Sequence, residues 1–146
     1  MIKEKFQKFL GLQKDKKILL FKVFFLLCGI RIGMWLSFQH LLKFLNTPYL
    51  KSFFSGIHHF PPETIVWAVR TTSHYIPKAT CLAQALATQV LLVQGGKDSD
   101  INIGVAKGEN SPLEAHAWVN LNGKVLIGGG QLDQYTWIMS LKGKGK

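Results

Sequence analysis

The sequence predicts an α+β fold, with N-terminal helices followed by one further helix and an antiparallel sheet. Three observations carry this. Apolar residues recur at helical spacing through "IRIGMWLSFQHLLKFL". The stretch "TCLAQALATQVLLVQGG" has a helix-capping threonine at one end and a pair of glycines at the other. Three short branched runs follow it, the last two joined by Asn122-Gly123, the strongest short hairpin signal.

The 146 residues suit one domain plus an appendage, divided as residues 1–60, a basic apolar helical region, and 61–146, a domain carrying the chemistry. With 47% hydrophobic and 18% charged residues, a packed core is available and global disorder is excluded. The net charge of +10 is uneven: residues 1–60 carry ten Lys/Arg against two Asp/Glu, residues 61–146 eight against six. A basic apolar region suits an acidic protein or an anionic membrane face; no nucleic-acid motif accompanies it, so nucleic acid is not expected. Two cysteines are too few for a disulfide framework, which points to a reducing, cytoplasmic setting.

Two helices are expected across roughly 16–55. Within "KILLFKVFFLLCGIRIGMWLSF", Lys22 and Arg31 leave only Val23 to Ile30 as an unbroken apolar run, short of the roughly 18–20 residues of a spanning helix. No small-residue cleavage site of a signal peptide follows. A helix packed on a core or partner is the first expectation, and a helix lying on a membrane surface the second. Cys28 reads as a small buried hydrophobe. "GIHHFPPE" breaks the helical pattern, because Pro61 and Pro62 cannot continue it. His40, His58, His59 and His74 lack metal-ligand spacing, so no metal is expected. "PPETIVWAVRTTSHY" is a further helix with Glu63 in its first turn.

Thr80 is the expected N-cap of the next helix, placing Cys81 at its first position, with Gly95-Gly96 as the stop. "INIGVAKG", "EAHAWVNL" and "KVLIGG" are the strands. The terminal "KGKGK" reads as a flexible basic tail.

This order places Cys81 for nucleophilic chemistry. A helix start offers about half a positive charge to a thiolate, and its unpaired N–H groups face the space where an oxyanion forms. His116, in the second strand, is the candidate base. Amide acyl transfer through a thioester uses these parts. On the bland reading, both are ordinary core residues.

The motifs "CLAQALA", "IGV" and "AHAWV", spread over residues 61–137, resemble those of the transglutaminase-like leader peptidases of lasso-peptide biosynthesis, the microcin-processing type. The upstream "FFLLCGIRIGMWLSFQHLLKFL" resembles that family's N-terminal segment. The resemblance implies a transglutaminase/papain-like core and a thiol protease that needs no cofactor. It cuts the leader from a ribosomally made precursor peptide, presented by a leader-binding partner protein, before a separate lasso cyclase closes a ring. It also implies Cys81 as nucleophile and His116 as base. Many members carry an aspartate where this chain has Gly128. A two-residue hairpin loop sets His116 opposite Gly129, and a three-residue loop sets it opposite Gly128; neither offers a side chain. The third catalytic position is therefore assigned to Asp133, with Asn120, Gln131, or a backbone carbonyl or water as alternatives, and an inactive homologue is a further one. Trp118 shares a strand face with His116, as a shield or as core. Gln84 lies one turn past Cys81. Trp67 and Trp137 are expected to pack. Two other functions stay open: acyl transfer to an amine, and a non-catalytic scaffold for precursor and cyclase.

Overall fold

The computed structural model describes residues 2–45, 47–76, 80–107, 113–130 and 132–145. Helices come first: α1 (Ile2–Leu10), α2 (Lys14–Leu36), α3 (Phe38–Leu45), α4 (Pro48–Phe53), a 3-10 turn (Ile57–His59), α5 (Pro62–Ser73) and α6 (Cys81–Gln94). The sheet follows: β1 (Ser99–Ala106), β2 (Glu114–Leu121), β3 (Lys124–Ile127), a 3-10 turn (Leu132–Gln134) and β4 (Thr136–Gly143). The strands are antiparallel in the order β3-β2-β1-β4. The α+β expectation holds.

The two helices expected over 16–55 are instead three. Ser37 takes an extended conformation, ψ 126°, and ends α2 while its N–H still donates to the Gly33 carbonyl at 2.9 Å. The chain folds back tightly there because Gly33 has no side chain: a Cβ would meet Leu41 Cδ1 at 2.7 Å. Thr47 and Pro48 then start α4. Lys22 and Arg31 do not interrupt α2, which by length and composition alone is long and apolar enough to cross a membrane. One of its faces is nevertheless committed to the protein: Leu19, Val23, Leu27 and Ile30 are at most 1% exposed. They join Ile65, Ala68 and Val69 of α5, Ala83, Leu86 and Leu91 of α6, and Ile101, Ala117, Val119 and Ile127 of the sheet in one apolar cluster. Core packing thus runs continuously across residue 60.

The predicted α6 is reproduced at both ends. Thr80 caps it, and Gly95 ends it before Gly96 turns at φ +80°. Gln89 Nε2 fastens the helix to the sheet, donating to the carbonyls of Ser99 (3.0 Å) and Leu141 (2.7 Å). The Asn122-Gly123 hairpin is a two-residue loop with positive φ at both residues (50° and 80°), the type I′ geometry that suits strand twist. Beyond it the register slips: Asn120 pairs with Val125, but Val119 pairs with Ile127. The register shifts at Leu126 and the paired ladder stops at Ile127, so His116 is paired with neither Gly128 nor Gly129. The expected tail is partly strand. Lys142 and Gly143 complete β4, and the Gly145 N–H donates to Asp98 Oδ1 at 2.6 Å. Lys146 lies outside the described residues.

If α2 belongs to the same cooperative core as α6 and the sheet, Leu27→Ala costs about 2–5 kcal/mol and the chain still unfolds in one urea transition. Loss of α2 in an earlier, separate transition contradicts this.

Candidate active site

Cys81 opens α6 half-buried, its side chain packed against the apolar cluster. Thr80 Oγ1 accepts the Ala83 N–H at 3.3 Å, and the first helical bond runs from the Gln84 N–H to the Thr80 carbonyl at 3.0 Å. The amides of Cys81 and Leu82 precede these bonds and have no acceptor within the helix. The N-terminal turn therefore offers two N–H groups beside the sulfur, aligned with the helix dipole. Cys28 is also a free thiol, half-buried on α2 rather than buried as expected.

His116 lies half-buried in β2, and its Nε2 meets the Gly128 carbonyl oxygen at 2.6 Å. A carbonyl only accepts, so Nε2 carries the hydrogen and, in the neutral ring, Nδ1 holds the free lone pair. The ring lies near-parallel to two aromatics: Tyr135 at 5.0 Å between centroids and Trp118 at 6.2 Å. Trp118 is only 8% exposed yet stands outside the main apolar cluster. It both fills space and walls the imidazole. Gly104, across from His116 in β1, makes room for this wall: a Cβ there would meet Tyr135 Cβ at 3.0 Å and Trp118 Cη2 at 3.1 Å.

Gly128 has φ +78°, and a Cβ would lie 2.5 Å from the Ala117 carbonyl oxygen and 3.1 Å from Trp118 Cα. No side chain fits there without moving β2. The position that lacks an aspartate instead presents its carbonyl to His116, which is the backbone alternative considered above.

Asp133 is exposed in the 3-10 turn and makes no hydrogen bond to His116, whose Nε2 meets the Gly128 carbonyl instead. Asn120 is four residues along β2, about 13 Å, and its buried Oδ1 has no partner. Gln131 lies outside the described residues. Trp137 is 58% exposed and donates to Ser140 Oγ at 3.0 Å, so it is not a packing residue. Trp67 lines a cleft between α5 and β3 with Glu63, Arg70, His74 and Lys124. Tyr135 was missed because β4 was not recognised, which left no strand to fix its facing.

α6 and β2 are packed neighbours, but Cys81 and His116 form no hydrogen bond with each other. Alternation along β2 turns Ala117 and Val119 toward the helices, and His116 with Trp118 toward the other face. Among the described residues no cluster of three His, Cys, Asp or Glu side chains is placed to hold a metal.

Helices ahead of an antiparallel sheet, with a cysteine opening the helix that leans on that sheet, form the α+β architecture of the cysteine-peptidase and acyl-transfer class. Residues 56–140, more than half of the chain, match the family model of the transglutaminase-like superfamily. The chain belongs to that superfamily, whose members are generally cysteine-protease-like enzymes. No curated protein and no solved structure matches it.

Two outcomes follow from the ring geometry. Long-range ¹H–¹⁵N spectra of the neutral protein show His116 as the Nε2–H tautomer. Gly128→Ala costs about 1–3 kcal/mol through backbone strain alone, and chemical denaturation against the parent chain measures it.

Proposed function

We propose that this protein is a cysteine peptidase that removes the leader from a ribosomally made lasso-peptide precursor, before a separate cyclase closes the ring. The observation that carries the proposal is Cys81 at the first position of α6, where its amide and that of Leu82 precede the first intrahelical bond. The superfamily match supports it, as does the resemblance of "CLAQALA" and "AHAWV" to the lasso-peptide leader peptidases.

In the proposed reaction, Nδ1 of His116 takes the thiol proton, and Cys81 Sγ attacks the scissile carbonyl carbon. The oxygen, now negative, accepts the Cys81 and Leu82 N–H groups. The tetrahedral intermediate collapses, the C–N bond breaks, and Nδ1–H protonates the departing amine, the new N-terminus of the core peptide. The leader is left as a thioester on Cys81. Water, deprotonated by Nδ1, attacks this ester, and the proton returns to the sulfur as the leader carboxylate leaves. Gly128 acts in place of the expected Asp133: its carbonyl holds Nε2 and so keeps Nδ1 the basic nitrogen. The ring lies on the face of β2 turned from the helices, so the scheme requires the imidazole or the first turn of α6 to move for Nδ1 to reach Sγ.

The substrate in this reading is the precursor peptide, delivered by a leader-binding protein, with the cyclase acting next, all in the cytoplasm. The superfamily match also favours a second reading, transfer of the acyl group to an amine. Mass spectrometry separates the two: hydrolysis yields two fragments, whereas transfer adds the mass of the amine.

With precursor and leader-binding partner present, Cys81→Ala abolishes cleavage while the far-UV circular dichroism stays unchanged. Asp133→Asn retains activity within about threefold, whereas a catalytic carboxylate would cost on the order of 10⁴. Retained cleavage by Cys81→Ala rules the mechanism out.

A further inference from the structure

The buried face of α2 has a counterpart on the other side of the same helix. Ile18, Phe21, Phe25, Ile32, Trp35 and Leu36 follow one another at helical spacing and are between 51% and 86% exposed. No charge lies within this stripe. Lys22 and Arg31 flank it, each half-buried. From Ile18 to Leu36 it runs about 27 Å along the helix. A helix apolar on both faces is covered on both, by protein or by lipid. In α1, Ile2, Phe6 and Leu10 recur every fourth residue and are also exposed.

The surrounding charge says what covers the stripe. Ten Lys/Arg and two Asp/Glu lie in residues 1–60, six of the ten within the first seventeen residues. A second copy would bring two chains of +10 together across that basic region. An anionic bilayer satisfies both features, hydrocarbon for the stripe and lipid phosphates for the lysines. Trp35, at 86% exposure, is a residue type that favours the headgroup level. Spanning is disfavoured, since Leu19, Val23, Leu27 and Ile30 hold the opposite face in the protein core.

We infer that α2 lies in the plane of an anionic membrane, with the Ile18–Leu36 stripe immersed and the lysines of the helical region at the phosphates, making this a monotopic, surface-seated protein. The inference is independent of the peptidase reading, because none of its residues belongs to the proposed site.

Flotation of the full chain with unilamellar vesicles tests it. The protein rises with mixed phosphatidylglycerol–phosphatidylcholine vesicles and far less with pure phosphatidylcholine. Phe21→Ser and Phe25→Ser each weaken partitioning about tenfold and leave precursor cleavage in lipid-free buffer unchanged. Lys3→Gln/Lys8→Gln/Lys14→Gln, with the stripe intact and the fold verified by circular dichroism, brings binding to anionic vesicles down toward the level on neutral ones. Three results overturn the inference: no flotation on anionic vesicles, equal flotation on neutral ones, or undiminished flotation of the phenylalanine variants. A concentration-dependent dimer lost in the phenylalanine variants, without flotation, assigns the face to a second copy and overturns it as well.

Discussion

The 2.6 Å hydrogen bond from His116 Nε2–H to the Gly128 carbonyl is the contact on which the proposed chemistry turns. It decides which ring nitrogen is basic, and it comes from a glycine that stands where an aspartate would be expected. With φ +78° and the Ala117 carbonyl 2.5 Å from any Cβ, the chain at Gly128 passes too close to β2 for a side chain. Orientation of the imidazole therefore comes from backbone. A carbonyl supplies direction and a dipole but no full charge, so it stabilises an imidazolium less than a carboxylate does. In a thiol enzyme that deficit is tolerable, because a thiolate is itself the counter-charge of the imidazolium.

The rest of the structure serves two placements. Pairing of β3 stops at Ile127, just before Gly128, whose carbonyl meets the imidazole instead of the ladder. The packing of α6 against α2, α5 and the sheet, with Gln89 bridging to β1 and β4, fixes where its first turn begins. Thr80 then settles one amide of that turn and leaves the two nearest the sulfur. Tyr135 and Trp118 flank the imidazole and limit how it can move. The helices ahead of residue 60 share the same core, so the exposed apolar stripe of α2 and the proposed peptidase machinery belong to one packed body.

Local signals in the sequence were legible where one residue decides a backbone conformation. Thr80, Gly95-Gly96 and Asn122-Gly123 marked a helix start, a helix end and a hairpin, and each is where it was expected. Features set by tertiary contact were not. The break at Ser37 depends on Leu41 packing over Gly33, a contact between helices. The β4 strand has a mostly exposed side-chain pattern, which hides the usual alternation. The bulge at Leu126 carries no glycine or proline to announce it, so both expected registers for His116 missed by a residue or two. Asp133 is a carboxylate just beyond the strand, whereas the group at the imidazole is the main-chain oxygen of a glycine, which no inventory of side chains reveals.

The central claim is that Cys81 and His116 work as a pair even though no hydrogen bond joins them in this structure. Alkylation by iodoacetamide at neutral pH, followed residue by residue by mass spectrometry, measures it most directly. The account predicts that Cys81 reacts well ahead of Cys28 and that His116→Ala removes this advantage. Equal rates for Cys81 in the parent chain and in His116→Ala would contradict it.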